Sequence, residues 1–532
     1  MTWTDPKIWL LAAGFAALTQ EAAAREPLSA SDWLSGSVQE PDNRSAWRPG
    51  DARPKVKGKS KDLARTGSVE PVGVTRLGEN NPDTMGTVSP RSAGLPAGLW
   101  GDGESRALAA QVARQSPHLP ALRRLLRRVL AAQLDPPKAP DPASEGALFL
   151  ARVDKLLDMG ATRAAQDLLL RAGPGDPERF RRLFDIALLS GNEAQACKTM
   201  DLTPGIAPSF SARIFCLALG GDWAAASLVH YGAETLGRID PDTARLLSHF
   251  LDDGYIDSAE VLTPPATVTP LIYRLHEAIG QPLPSANLPL AFALFDLDDN
   301  GGWKAQIDAA ERLARAGAIP ASQLREIYLL QEPAASGGVW DRVSAFQTLE
   351  EALATRDRDA VEGSLPQAFD AMRQGGLFYA LADMVGAETA ALAPSGRAGM
   401  IAMWLALAAD QAQTIETAPV GASAGDQWLI AFATGKAVGP PPVESRETTA
   451  LLAGAFTGKA GEGLPEQASQ LIAANRQGEA LLDAVAAVDA GTEGDYIRAA
   501  QGLRVLRALG QDDIARQAAV ELILGARMAD QE

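Results

Sequence analysis

The feature that most constrains this chain is a glycine followed five residues later by an alanine, which recurs between about Ala147 and Pro264. The steps from glycine to glycine are 31, 29 and 34 residues, sizes that are typical of helical repeat arrays. A glycine can adopt a positive φ and end one helix, and a small alanine suits the place where the next helix approaches closely. The pattern therefore predicts paired helices in series. The units are Gly160 with Ala165, Gly191 with Ala196, Gly220 with Ala225 and Gly254 with Ala259, and Gly510 with Ala515 repeats the spacing near the end of the chain.

These units resemble tetratricopeptide repeats in three respects. Each has a turn glycine and a small residue early in the second helix, and a proline stands near the unit's end at Pro177, Pro204 or Pro264. The resemblance implies an all-α fold, an α-solenoid built from helical hairpins. Alternating apolar runs bounded by hairpin turns are nearly absent from the sequence, so we do not expect a sheet.

The first residues predict export. Lys7 precedes an apolar run from Ile8 to Leu18, and small residues follow at Ala22 to Ala24, as in a secretory signal peptide. We expect a signal peptide over residues 1–24, cleavage after Ala24 and a periplasmic protein. An uncleaved anchor is the alternative because Asp5 weakens the positive flank, although the apolar run is short for crossing a bilayer.

The composition of residues 25–103 predicts a disordered arm, since proline, glycine, serine and charged residues dominate and no helical or strand periodicity is sustained. Trp33 and Leu34 stand out in it as a possible docking motif, and the alternative is that they belong to a spacer after the signal peptide. The basic run from Arg53 to Lys61 is a solvated linker or a peripheral contact with an anionic envelope surface.

Beyond the arm we predict two helical-repeat domains, residues 104–286 and 287–532, because prolines crowd the region from Thr263 to Pro289. The helix predicted over Leu119 to Gln133 is basic and amphipathic. We expect it to be a terminal repeat with its arginines in water, and a membrane-surface helix is the alternative.

Cys197 and Cys216 are the only cysteines, and paired thiols usually close in an exported protein. The repeat phase places Cys197 on the second helix of one hairpin and Cys216 on the first helix of the next, within one helical turn of facing each other. We therefore predict a disulfide. The alternative is that both cysteines serve as small apolar residues in the core.

The formal net charge of −17 disfavours a nucleic-acid partner, because such binding depends on Lys and Arg neutralising phosphates. Gly421 to Gly425 matches the G-x-S-x-G string of hydrolases, but the four histidines all precede Ser423, whereas the triad histidine follows the serine. Asp296 to Gly301 matches the start of a calcium-binding loop, yet its twelfth position is Ile307 rather than glutamate. Glu277, beside His276, is the single acid that invites inspection. We predict no catalytic residue, no metal site, no cofactor and no small-molecule substrate.

These expectations favour a non-catalytic scaffold or adaptor that mediates protein–protein interactions in the cell envelope, because stacked hairpins present extended binding surfaces. Two alternatives stay open. One is an accessory factor of an envelope machine such as a motility or secretion apparatus, and the other is an envelope glycan-processing enzyme.

Overall fold

The computed structural model describes residues 33–36, 81–138, 144–252, 261–298, 301–333, 337–436, 439–443 and 445–529. The predicted signal peptide and the basic run at 53–61 lie outside these ranges. In the described part of the chain the fold is all-α, as predicted. Extended pairing there is limited to an isolated parallel bridge between Val88 and Ala132. Within the same ranges, no helix has both the length and the apolarity needed to cross a bilayer.

The α-helices follow one another along the whole described chain. Their bounds are α1 Pro90–Ala93, α2 Ser105–Ala113, α3 Pro120–Ala131, α4 Ala147–Asp158, α5 Thr162–Ala172, α6 Pro177–Leu189, α7 Glu193–Leu202, α8 Phe210–Leu219, α9 Trp223–Thr235, α10 Pro241–Leu251, α11 Pro270–Ala278, α12 Trp303–Arg315, α13 Ala321–Tyr328, α14 Val339–Thr355, α15 Arg358–Gln374, α16 Phe378–Leu392, α17 Gly396–Ala408, α18 Ala424–Ala433, α19 Glu447–Gly454, α20 Glu466–Ala473, α21 Gln477–Asp489, α22 Tyr496–Ala508 and α23 Asp512–Ala529. Short 3-10 helices cover Pro82–Thr84, Ser285–Asn287, Leu290–Leu297, Ala412–Thr414 and Ala490–Glu493.

The turn glycines end helices in the predicted way at three of the described units. Gly160, Gly191 and Gly510 have φ of 68°, 68° and 76°. At the first of them, the N–H of Ala161 donates to the carbonyl of Leu156 at 2.8 Å, which closes the Schellman hydrogen bond across the left-handed residue. Because only glycine adopts this conformation without strain, each of these glycines marks the boundary between two paired helices.

The third unit differs from the prediction by one residue. Gly220 keeps a right-handed φ of −74°, and its neighbour Gly221 takes the left-handed φ of 84°. The alanine five residues after Gly221 is Ala226, which is fully buried, whereas the predicted Ala225 is half-buried. The assignment of Gly220 with Ala225 is therefore wrong, and the spacing itself holds for Gly221 with Ala226.

The remaining alanines of the described units are not buried equally. Ala165 and Ala515 are fully buried, as a close contact between paired helices requires. Ala196 is 9% exposed, at the margin of the core, so the expectation that it packs as closely as the others is only partly met. The reason is that α7 packs chiefly against α6 and α8 and buries a single narrow face, on which Ala196 stands beside Cys197 and Met200.

One predicted unit falls in a gap between the described ranges. Residues 253–260 are not described, and both Gly254 and Ala259 lie among them. The structure therefore does not bear on the helix end expected at Gly254 or on the close packing expected at Ala259. Both stay predictions.

The shift at the third unit gives a matched pair of substitutions on α9. Ala226→Glu should place a carboxylate in the core between helices and lower the free energy of unfolding by several kcal/mol, about 3 or more. Ala225→Glu should change it by less than about 1 kcal/mol because Ala225 is only half-buried. Thermal unfolding followed by circular dichroism compares the two. Equal melting temperatures for the two variants would contradict the assignment of Gly221 with Ala226.

The predicted disulfide is confirmed: Cys197 on α7 and Cys216 on α8 are bonded, with Cα atoms 5.2 Å apart. The two residues are 19 apart in sequence, so the bridge closes the α7–α8 hairpin. Replacing both cysteines by alanine should lower the free energy of unfolding by about 3 kcal/mol in the chain-entropy account. Urea denaturation measures the loss. A reductant should destabilise the wild-type chain to the same extent and leave the double variant unchanged; equal effects on both would contradict this.

The buried apolar residues form two clusters. The smaller one lies within residues 180–275, on α6 to α11, and includes the disulfide. The larger one includes Trp33, Leu34 and Tyr273 and joins residues 93–189 to residues 291–524. Helices α2 and α3 contact α21 and α23, and Gln111 donates to Asp483 at 2.5 Å across the two ends. The core therefore does not divide at the predicted boundary between 286 and 287, because the first helices pack against the last ones.

Part of the predicted disordered arm is packed. Residues 81–103 contain the 3-10 helix Pro82–Thr84 and α1, and Leu99 and Trp100 are at most 1% exposed. The carbonyl of Leu99 accepts a hydrogen bond from the N–H of Gly478 at 2.7 Å, and a Cβ on Gly478 would lie 2.5 Å from the Trp100 ring. The prediction of disorder is therefore wrong for residues 81–103, whose apolar partners lie on a helix nearly 380 residues away.

The arginines of α3 are not a freely solvated face. Arg123 donates to the carbonyl of Arg315 at 2.7 Å, and Arg127 donates to the carbonyl of Ala316 at 3.2 Å, at the end of α12. These carbonyls belong to the last turn of a helix, where cationic side chains bind favourably. The predicted exposure of this basic face is wrong for these two residues.

Candidate peptide-binding site

Residues Trp33 to Gly36 lie against α4, α6 and the 3-10 helix Leu290–Leu297. Trp33 is 7% exposed and Leu34 is 4% exposed. The Trp33 ring meets the Phe292 ring nearly edge to face, with centroids 5.6 Å apart, and its indole N–H donates to Asp158 at 3.4 Å. Trp33 and Leu34 are therefore packed against other parts of their own chain, and a role as a docking motif for a partner stays a prediction.

Ser35 supplies the polar half of this contact. Its backbone N–H donates to Oδ2 of Asp185 at 3.0 Å, and its hydroxyl donates to Oδ1 of the same carboxylate at 2.6 Å. Arg181 donates to the Ser35 carbonyl. Every polar group of Ser35 is thus bound by a side chain of α6. We refer to Asp158, Arg181, Asp185 and Phe292 together as the Trp33 slot.

The slot is built on a charged stripe of α6. Asp176 caps this helix by accepting the N–H of Arg179 at 2.9 Å, and Pro177 occupies the first turn. The spacing of three, four and seven residues then puts four charged side chains on one face. They are Glu178, Arg181, Arg182 and Asp185, and all are nearly or fully buried.

Ion pairs compensate most of this buried charge. Arg182 donates two hydrogen bonds to the Asp154 carboxylate of α4, at 2.5 and 2.8 Å, and a further one to Glu178 at 3.0 Å. Arg181 donates to Glu178 at 2.7 and 3.0 Å. Charges this deep persist only when they are paired and hydrogen-bonded. The network fixes α6 against α4, and so it holds Asp185 and Arg181 in place.

Asp185 is the group whose charge depends most on the docked segment. Burial raises the pKa of the Asp185 carboxyl to about 6, although the hydrogen bonds from Ser35 and the charges of Arg181 and Arg182 lower it. The carboxylate is fully buried. Loss of Ser35 would remove two of the hydrogen bonds that stabilise its ionised form.

The apolar half of the slot belongs to a cluster of aromatic rings. Tyr273 of α11 packs edge to face on Phe292 at 5.3 Å and on Phe295 at 5.6 Å. Phe292 is fully buried, so the Trp33 ring completes a cluster that is otherwise assembled from the scaffold. The slot therefore combines an aromatic pocket for Trp33 with a buried acceptor, Asp185, and a donor, Arg181, for Ser35. The two bound residues are two positions apart in the docked segment.

The hydrolase-like string has a structural role. Ser423 is the N-cap of α18, and its hydroxyl donates to Asp426 at 2.8 Å and accepts from the Asp426 N–H at 3.1 Å. The two residues form a capping box. The capping box gives Ser423 a structural role at the start of α18.

The calcium-loop string is described only in part, because residues 299 and 300 lie outside the described ranges. Asp296 lies in the last turn of the 3-10 helix Leu290–Leu297 and accepts hydrogen bonds from the hydroxyls of Ser285 and Tyr273. Helix α12 begins at Trp303 after Gly302, which provides no side-chain cap. Among the described residues, no group of three His, Cys, Asp or Glu side chains is placed to hold a metal ion.

Sequence reasoning identified Trp33 and Leu34 but missed their receptor. The available signal was the stripe of charges at 178, 181, 182 and 185 in a helix whose remaining residues from Phe180 onward are apolar, matched by Asp154 and Asp158 on α4. Charged residues at core spacing indicate either a buried ion network or a ligand site.

No protein-family model, curated protein or solved structure matches the chain.

Proposed function

We propose that this protein is a non-catalytic helical scaffold of the cell envelope that binds extended protein segments of the form Trp-x-Ser. The observation that carries the proposal is the pair of hydrogen bonds that Asp185 accepts from Ser35, next to the aromatic rings that contact Trp33. These contacts recognise a peptide backbone, a hydroxyl and an indole, and they contain no step of covalent chemistry. They are the contacts of a recognition site.

The surrounding architecture supports a scaffold role. Hairpins with left-handed glycine turns at Gly160, Gly191 and Gly221 resemble a tetratricopeptide-like solenoid, an architecture that presents peptide-binding surfaces. The contact of α2 and α3 with α21 and α23 departs from a simple solenoid, in which each repeat meets only its neighbours. The signal-like first 24 residues and the Cys197–Cys216 bridge support an oxidising compartment such as the periplasm.

In this proposal the chain's own Trp33–Ser35 segment competes with partner segments. A tethered segment has an effective concentration on the order of millimolar, so a free peptide must outcompete it by mass action. A partner gains access when its segment binds more tightly or when the arm is held elsewhere. The protein partner is consequently one that carries an exposed Trp-x-Ser stretch.

The test uses a fluorescent peptide, Ser-Asp-Trp-Leu-Ser-Gly, and a full-length chain with Trp33→Ala and Ser35→Ala. The emptied slot should bind the peptide at least about tenfold more tightly than the wild-type chain does, because the tethered competitor is gone. Fluorescence anisotropy measures both affinities. Peptides with alanine in place of the tryptophan or the serine serve as matched controls and should bind the variant weakly.

Two results would refute the proposal. One is a folded double variant that binds the peptide no better than wild type. The other is equal affinity for the native and the serine-free peptide, which would show that Asp185 does not read the hydroxyl. Circular dichroism of the double variant establishes that it is folded.

A further inference from the structure

A second surface lies on the smaller core cluster, between α7, α8, α9, α10 and α11. It is a groove of about 440 Å³, large enough for amino-acid side chains. Its apolar floor consists of Phe215, Phe250 and Trp223: the first two rings stack at 5.8 Å, and Trp223 lies 5.9 Å from Phe250. Trp223 is 49% exposed, so the groove presents an indole face to whatever enters.

One wall of the groove is charged. Arg274 of α11 pairs with Glu193 at 2.7 Å and also with Glu277. The two carboxylates outnumber the guanidinium, and Oε2 of Glu193 and Nε of Arg274 are both buried without a hydrogen-bond partner. Burial raises the pKa of the Glu277 carboxyl. The nearby charges of Glu193 and Asp296 raise it further, whereas the charge of Arg274 lowers it. This wall of the groove therefore carries more negative than positive charge, with two carboxylates against one guanidinium.

Other exposed apolar residues lie on the same part of the chain. Leu219, at the end of α8, lines the groove and is 47% exposed. On α9, Leu228 is 72% exposed. Clusters of large exposed apolar side chains in a soluble fold mark interaction sites.

We propose that this groove binds a basic, apolar segment of a partner protein, with an Arg or Lys side chain over the Trp223 ring and near Glu193 and Glu277. The choice of occupant follows from charge and chemistry. Cations bind favourably to indole faces, and the carboxylates supply the acceptors that a guanidinium or ammonium needs. This inference does not rest on the Trp-x-Ser proposal. The two sites are linked, however, because Arg274 lies over Phe295, 4.6 Å from the centroid, and Phe295 belongs to the aromatic cluster behind Trp33.

The probes are two fluorescein-labelled peptides, Leu-Arg-Phe-Arg-Leu and Leu-Glu-Phe-Glu-Leu, added to the full chain. Fluorescence anisotropy should show the basic peptide binding at least about tenfold more tightly than the acidic one, and the difference should shrink in about 0.5 M salt. Trp223→Ala should weaken the basic peptide about five- to tenfold. Glu277→Gln should weaken it about threefold or more.

Matched controls lie on α9, the helix that carries Trp223. Tyr231→Ala and Glu234→Gln remove an exposed aromatic residue and an exposed acid of α9 that do not line the groove, and both should leave the affinity unchanged. Equal binding of the two peptides would overturn the proposal. So would controls that lose as much affinity as Trp223→Ala and Glu277→Gln.

Two other occupants are distinguishable outcomes, and either would overturn the assignment to a partner. Self-association of the chain that Trp223→Ala abolishes would assign the groove to a second copy. Peptide binding that appears only after deletion of residues 53–61 would assign it to the chain's own basic run.

Discussion

Arg182→Ala should lower the free energy of unfolding by about 3–5 kcal/mol, the usual loss when one partner of a buried ion pair is removed. Arg182 is fully buried and bonds the Asp154 carboxylate through two nitrogens and Glu178 through a third. Without it, these two acids face each other across α4 and α6 with less positive charge between them. Urea denaturation followed by circular dichroism measures the change.

The control for Arg182 is Arg163 on α5, which is exposed. Arg163→Ala should shift the unfolding free energy by less than about 0.5 kcal/mol. Because Arg182 also orders the face of α6 that bears Asp185, its loss should weaken peptide binding to the emptied slot as well. Wild-type stability of Arg182→Ala would show that the ion network does not hold α4 against α6.

Glu521→Gln should stabilise the protein at pH 8.5 and remove most of its stability loss between pH 6 and 8.5. The Glu521 carboxylate of α23 is 1% exposed and accepts the N–H of Ala121 at 3.1 and 3.2 Å, at the start of α3. Burial raises its pKa to about 8, although Arg124, the Ala121 N–H and Gln517 lower it; Asp410 raises it further.

The sign follows from linkage. A carboxyl whose pKa is higher in the folded than in the unfolded chain stabilises the fold while it is protonated, and this contribution disappears as the pH rises through the folded value. For Glu521 the window runs from about pH 4.5 to 8, and the full effect is on the order of 5 kcal/mol. Asp185 acts in the same direction, but its window ends near pH 6.

Melting temperatures at several pH values test this. The wild-type chain should lose stability above pH 6, and Glu521→Gln should flatten the curve because the amide keeps an acceptor for Ala121 and does not titrate. Glu493→Gln, at an exposed position, is the control and should keep the wild-type slope. A Glu521→Gln curve that is parallel to wild type would exclude Glu521 as the source.

The repeat units show how far the sequence leads. Glycine and alanine at fixed spacing predict where helices end and which small residue is buried, since both effects are local. The adjacent glycines at 220 and 221 fit the same spacing equally well, and only the structure distinguishes them, by the left-handed φ of Gly221 and the burial of Ala226. How deeply Ala196 is buried depends on how many helices surround α7, which the spacing does not encode. The disulfide was predictable because two cysteines on adjacent helices of known phase leave few geometric choices.

Long-range packing was not predictable in the same way. Trp100 looked like part of an arm because the residue that receives it, Gly478, is far away in the sequence. The receptor of Trp33 has the same character: Asp185 and Phe292 are recognisable as a site only when α6 and the 3-10 helix Leu290–Leu297 are brought together. The charged stripe on α6 was visible, but its ligand was not.

The most direct test of the Trp33 slot is a double-mutant cycle between the Ser35 hydroxyl and the Asp185 carboxylate. Unfolding free energies are measured by urea denaturation for wild type, Ser35→Ala, Asp185→Ala and the double variant; Ser423, which bonds Asp426 instead, replaces Ser35 in a control cycle. We predict a coupling of about 1–2 kcal/mol for Ser35 with Asp185 and additivity for the control. Additive effects of Ser35→Ala and Asp185→Ala would contradict the claim that this carboxylate holds the docked segment.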